Sequence, residues 1–241
     1  MIRAWALAMM DSASFSPLDL GSKLKAWWAP LEGANHTLNG SGVASWTDEV
    51  GGYVVSQATA SSQPTYSAAG FNGGACAMFD GSNDYLALTP VPGGIPTGSA
   101  PSEIWTSCSQ DAPAADTTGR FLVSYGDTGF STQRRLIRAV TAGVNQCLLA
   151  EDSVASAPGD FSGAHVVRGV FSASAYVEMD GVAGATAAQS LNTGAVRIVF
   201  GRSSTLGGTP AWQGAIREVA ITDLLTAPQA ALLNAYLHRG F

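Results

Sequence analysis

An all-β sandwich of two antiparallel sheets, closed by one short C-terminal helix, is the fold this sequence predicts. Three observations carry the prediction. Thirteen short runs of strand character recur, spaced mostly by ten to fifteen residues, with Gly, Pro, Asn or Asp between them. Gly supplies 28 of the 241 residues, which suits many turns and argues against a helical bundle. Helical periodicity is confined to the C-terminal end. A chain of this length fits one large β-domain.

The runs are Leu24–Ala29, Val43–Asp48, Tyr53–Gln57, Gly74–Asp80, Tyr85–Leu88, Glu103–Ser109 and Arg120–Tyr125. Arg134–Val140, Asn145–Ala150, His165–Ser172, Ala175–Met179, Val196–Gly201 and Ala215–Thr222 follow. In "IREVAI", Ile216, Val219 and Ile221 share one buried face only if the register slips near Glu218, so a bulge is expected there. Asp180-Gly181 is a type I′ hairpin signal, because both central residues of that turn need positive φ. In "FDGSNDYLAL" the strand ends at Asp80, a turn follows, and the carboxylates are expected to accept backbone N–H groups. The Pro- and Gly-rich segment Thr89–Ser102 reads as a long surface connection. The helix opens on "TAPQ" (Thr226 to Gln229) in capping-box form, with Pro228 in the first turn. Leu232, Leu233, Tyr236 and Leu237 line its apolar face, and Gly240 marks the stop.

Charged residues make up only 12%, about half the usual share of roughly 25%, so the surface is built largely from small polar side chains. A net charge of −6 removes the basis for nucleic-acid binding, and Arg134, Arg135 and Arg138 are too few to reverse it. No run approaches the roughly 18 apolar residues of a membrane span. Cys76, Cys108 and Cys147 make an odd number without C-x-x-C spacing, which excludes a complete disulfide framework and reads as buried free thiols. The first fifteen residues, 1–15, read as an apolar anchoring arm ahead of a sandwich spanning 16–241, since no A-x-A site follows their short apolar run.

Three stretches carry a resemblance: "LKAWWAPLEGANHTLNGSGVASWTDEVGG", "QATASSQPTYSAAGFNGGACAMFDGSNDYLAL" and "WQGAIREVAITDLLTAPQAALLNAYLHRGF". Leu24, Trp27, Trp46, Asp48, Gln63, Pro64, Tyr66, Phe79 to Gly81, Asp84, Leu86, Gly214, Ile216, Glu218, Val219, Ile221, Tyr236 and Leu237 hold the shared pattern. The chain resembles the laminin-G-like, concanavalin A-like lectin/glucanase superfamily, in its bacterial and bacteriophage branch. The resemblance implies a jelly-roll sandwich, with Trp46, Trp105 and Trp212 in its packing. It departs at Ala29-Pro30, where relatives often hold an acidic residue, and at Glu49-Val50-Gly51-Gly52, in place of a Ser-Gly-Asn-Gly turn. These motifs specify fold far more than function.

Catalytic signals are weak. Glu178 and Asp180 share a strand face, as in the E-x-D-x-E strand of the superfamily's glucanases, but the third acidic place holds Val182. His36, His165 and His238 match no nucleophile or zinc motif. "DGSND" fails as an EF-hand because Tyr85 stands where glycine is required and Val91 where glutamate is. Asp80 and Asp84 are the candidates if calcium, which several superfamily members hold, is bound; no other cofactor is expected. Glycan binding calls for aromatic faces beside planar polar groups. Tyr125, Asp127, Phe130, Gln133, Arg135 and Trp28 are the candidates. The expectation is a non-catalytic virion module, a phage fibre, spike or capsid-surface protein that attaches to cell-surface polysaccharide. Residues 1–15 would join it to other virion proteins, as a homo-oligomer such as a trimer, assembled in the host cytoplasm. The alternatives are a secreted bacterial carbohydrate-binding or carbohydrate-cleaving protein and a purely structural decoration domain.

Overall fold

The computed structural model describes residues 14–111, 120–128, 134–140, 146–149, 155–158, 163–206 and 211–239. The first strands are β1 Leu24–Trp28, β2 His36–Asn39, β3 Gly42–Thr47, β4 Val54–Ser56, β5 Thr65–Phe71 and β6 Gly74–Asp80. Next come β7 Leu86–Leu88, β8 Ser102–Cys108, β9 Arg120–Gly126, β10 Arg134–Val140, β11 Gln146–Leu149 and β12 Ala155–Pro158. The last are β13 His165–Phe171, β14 Ser174–Met179, β15 Val182–Ala183, β16 Ala187–Ala188, β17 Arg197–Phe200 and β18 Gln213–Thr222. One α-helix, α1 (Ala227–Leu237), closes the described chain, and short 3-10 turns occupy Pro17–Lys23 and Ala60–Ser62.

The strands form an antiparallel sandwich. One layer runs β5–β6–β18–β8–β13–β14, with β1 beside the second half of β18. The other runs β4–β7–β17–β9–β10–β11–β12. The β3 strand joins the layers, pairing with β4 and bridging to β5. Between the layers lies a core that includes Trp28, Trp46, Phe200, Trp212, Ile104, Ile198 and Val219. Complete burial of each such side chain contributes roughly 1.5–3 kcal/mol. Trp105 sits instead in a second cluster on the outer side of β8, with Trp27, Val166, Leu233 and Leu237. α1 is held there by its apolar stripe, as the spacing of Leu233 and Leu237 requires.

Local chemistry explains the turns. The register of β18 against β8 shifts between Ile216 and Glu218, the expected bulge. Asp180 and Gly181 have φ of 53° and 80°, so the β14–β15 turn has the positive φ values that its sequence predicts. Asp80 Oδ1 accepts Ser82 N–H at 2.8 Å and Asp84 Oδ2 accepts Asp80 N–H at 2.9 Å, so this pair holds a turn. Thr226 N–H donates to Gln229 Oε1 at 3.0 Å at the start of α1. Cys76 and Cys108 are buried free thiols, and the Cys147 side chain lies outside the described residues.

Two expectations change. β2 and β5 are strands that the sequence reading leaves as loops, because each has few apolar positions; each is held by a hairpin with the strand that follows it. The Thr89–Ser102 segment is no mere surface connection: Val91 and Ile95 are buried in the inter-layer core. Phe15 is also buried, edge-on to Tyr236 with ring centroids 6.0 Å apart; residues 1–13 of the expected arm lie outside the described residues.

Candidate functional site

Pairing across β18, β8, β13 and β14 places Ala220, Trp105, Arg168 and Glu178 in one row. The row lies on the outer face of its layer, beside α1. Arg168 dominates it. Its Nη1 donates to Glu178 Oε2 at 2.8 Å and its Nη2 to Glu103 Oε1 at 2.6 Å. The guanidinium lies over the Trp105 ring at 4.8 Å and the Tyr176 ring at 5.7 Å. Burial works against its charge, but the Glu103 and Glu178 carboxylates outweigh that and hold its pKa above the usual range.

Glu103, 1% exposed, is saturated. Besides Arg168, it accepts Leu225 N–H at 3.0 Å, Trp105 Nε1–H at 2.8 Å and the Thr222 hydroxyl at 3.4 Å. Glu178 differs: its Oε2 is taken by Arg168, while its Oε1 makes no hydrogen bond among the described residues. It opens on a groove of about 300 Å³ lined by Arg168, Glu178, Gly181, Ala227, Ala230, Ala231 and Asn234. The Asn234 side-chain amide makes no hydrogen bond among the described residues either. Gly181 keeps it uncovered, since a Cβ at that position would stand 3.5 Å from Asn234 Nδ2.

At the turn, Asp180 ties three elements together. It accepts His165 Nδ1–H at 2.7 Å, Val166 N–H at 2.9 Å and His238 Nε2–H at 3.0 Å. Burial would raise its pKa, but these donors lower it below the ordinary carboxylate value. His238 Nδ1 lies 2.8 Å from the Asn234 carbonyl oxygen, so both ring nitrogens face acceptors.

The glycan candidates read from the sequence lie elsewhere, and three are buried. Trp28 is 0% exposed and packs edge-on to Phe200 at 5.0 Å, because its neighbour Trp27 takes the outer face beneath α1. Tyr125 and Arg135 are also 0% exposed, covered by the 89–101 segment and by Thr193. The Tyr125 hydroxyl donates to the Pro96 carbonyl at 3.1 Å. Arg135 donates to Tyr125 OH and Thr193 Oγ1, both at 2.8 Å, and to Ser102 Oγ and the Ala100 carbonyl. Tyr125 and Arg135 therefore form an internal polar cluster with Ser102 and Thr193, and none of the three buried candidates contributes to an exposed aromatic surface. Asp127 is half-buried at the end of β9, and Phe130 and Gln133 lie outside the described residues. Asp80 and Asp84 are engaged with backbone N–H groups, and no group of three or more His, Cys, Asp or Glu among the described residues could hold a metal ion.

No family model matches the chain, and no curated protein matches it. Solved structures do. Domain 4 of an extracellular GH43 arabinanase from Geobacillus stearothermophilus, in complex with arabinotriose, matches at 14% identity and a TM-score of 0.58, over 88% of this chain and 98% of that one. A Trypanosoma rangeli sialidase matches at 14% identity and a TM-score of 0.65; all but 1% of this chain aligns (99%), onto 38% of the sialidase. A GH54 α-L-arabinofuranosidase matches at 11% identity and a TM-score of 0.58, over 81% of this chain and 51% of that one. At such identities the likeness shows the fold, a β-sandwich shared with parts of carbohydrate-active proteins. None of these matches singles out a phage or laminin-G-like type. The expectation that the chain is no enzyme is corrected, because chains sharing its fold include sialidases and arabinofuranosidases.

Proposed function

We propose that this chain is the carbohydrate-recognising sandwich of a carbohydrate-binding or carbohydrate-cleaving protein, and that it takes a short stretch of glycan in the groove between α1 and β14. One observation carries the reading. Glu178 Oε1 and the Asn234 amide converge, unpaired, on a groove of about 300 Å³ walled by alanine methyls and floored by the Arg168 fork. Sugar recognition needs this combination: a surface for the ring's C–H face and a few planar polar groups that fix its hydroxyls. The shared fold of an arabinanase domain solved with arabinotriose supports it. The virion-surface role expected from the sequence resemblance gains no support from the matches, which favour a carbohydrate-active protein.

Ala231 is exposed on α1 and lines the groove, so a bulky residue there fills the space without entering the core. Ala231→Trp is expected to abolish oligosaccharide binding in a calorimetric titration while the far-ultraviolet dichroism stays unchanged. Binding that survives this substitution places the site elsewhere.

A further inference from the structure

Resting on that reading of the groove, we infer that its ligand is a neutral sugar, and that the groove discriminates against rings bearing a carboxylate. Among the described residues Arg168 is the one cation lining the groove, and neither of its arms is free for an anion: one is held by Glu178, the other by Glu103. Its Nε is buried without a hydrogen-bond partner among the described residues, out of a ligand's reach. Arg239, on the last turn beyond α1, stacks on the Tyr236 ring at 3.2 Å and faces Glu218. The two histidines nearby, His165 and His238, are both engaged with Asp180. Among the described residues lining the groove, one carboxylate, Glu178, thus stands against one guanidinium, Arg168, whose second arm Glu103 holds from outside the lining.

What the groove offers is an acceptor and an amide. Glu178 Oε1 can accept a hydroxyl proton, and Asn234 can both donate and accept, which suits two neighbouring hydroxyls on a sugar ring. Ala227, Ala230 and Ala231 present only methyl groups to the ring's C–H face. A sugar carboxylate placed here would meet Glu178 with no free donor of opposite charge, and buried unpaired charge is strongly disfavoured. An amino sugar fares less well than a neutral one, because the Glu178 charge is already matched by Arg168 at 2.8 Å.

The test is calorimetric titration of the full chain at pH 7 with arabinotriose, trigalacturonate and chitosan trimer, on wild type, Glu178→Gln and Ala231→Trp. The neutral trisaccharide is expected to bind at least about tenfold more tightly than either charged one. Replacing a charged acceptor with a neutral one in Glu178→Gln should weaken neutral binding about tenfold and narrow the gap to trigalacturonate. Tighter binding of trigalacturonate or chitosan trimer, abolished by Ala231→Trp, overturns the inference and leaves the groove reading standing. Binding insensitive to Ala231→Trp, or no binding by any of the three sugars, overturns both.

Discussion

Replacing Glu218 with glutamine should change how the stability of this protein depends on pH. Glu218 projects from the bulge of β18 beneath the end of α1 and is 0% exposed. Trp27 Nε1–H donates to its Oε2 at 3.1 Å, while among the described residues its Oε1 has no hydrogen bond and only the Arg239 guanidinium at 3.7 Å. Burial therefore dominates and pushes the pKa from an ordinary 4.5 up to about 7; Arg239 and Arg217 offset only part of it. Between these values the folded chain keeps a proton that the unfolded chain has released. Stability is thus full below pH 4.5 and falls as pH rises towards 7. At 1.36 kcal/mol per pH unit, the gap amounts to about 3 kcal/mol. Urea unfolding followed by tryptophan fluorescence at pH 4.5, 5.5, 6.5 and 7.5 gives the difference between wild type and Glu218→Gln. Asp84, whose pKa burial lifts to about 6, adds a slope of the same sign to both proteins and cancels in that difference. Wild type should lose about 3 kcal/mol relative to the variant across this range. Parallel curves, or a relative gain by wild type, refute the reasoning.

Two further substitutions test the polar clusters. Arg135→Lys keeps the charge but loses the fork that serves Thr193, Tyr125, Ser102 and the Ala100 carbonyl; urea unfolding should show a loss of about 2–4 kcal/mol, and no loss would mean that this cluster does not pin the covering segments. Asp180→Asn removes a carboxylate whose lowered pKa contributes stability above the ordinary 3.8 that is lost as pH falls through the folded value. The variant should accordingly show a flatter acid limb in thermal melts, and an unchanged acid limb would refute the role of its three donors.

Most of the fold was legible because the chemistry that sets it is local. Asp180-Gly181 carries its turn in two residues, "TAPQ" announces α1, and the spacing of Ile216, Val219 and Ile221 demands the bulge at Glu218. What could not be read was which outward faces stay bare. Tyr125 and Arg135, paired across β9 and β10, offer a ring and a planar polar group as a ligand-facing surface should, yet both point between the layers: Tyr125 joins the core and the Arg135 guanidinium lies 5.9 Å from the Phe171 ring of β13. A signal did exist: Val91 and Ile95 are isolated apolar residues in a proline- and glycine-rich stretch, and such residues are anchors that dock a loop onto a core. The groove was harder still. Glu103, Arg168, Glu178 and Asn234 lie on four elements, of which only β13 and β14 are neighbours in the chain, and the register of β8 against β13 and of β13 against β14 brings the first three together.

The stretch "YVEMDGVAG" makes a turn and also borders the groove. In the sequence, Val182 stands at the third acidic place and Asp180-Gly181 signals a hairpin turn. The structure keeps the turn and gives it work through its geometry. Positive φ at both turn residues sends the chain back so that Asp180 reaches His238 at the end of α1, and a Gly181 without a side chain leaves Asn234 open. Glu178, two residues before Asp180, then faces the space that the turn and α1 enclose. The hairpin is therefore one wall of the groove, and the features that make it a good turn are the same ones that keep the groove accessible.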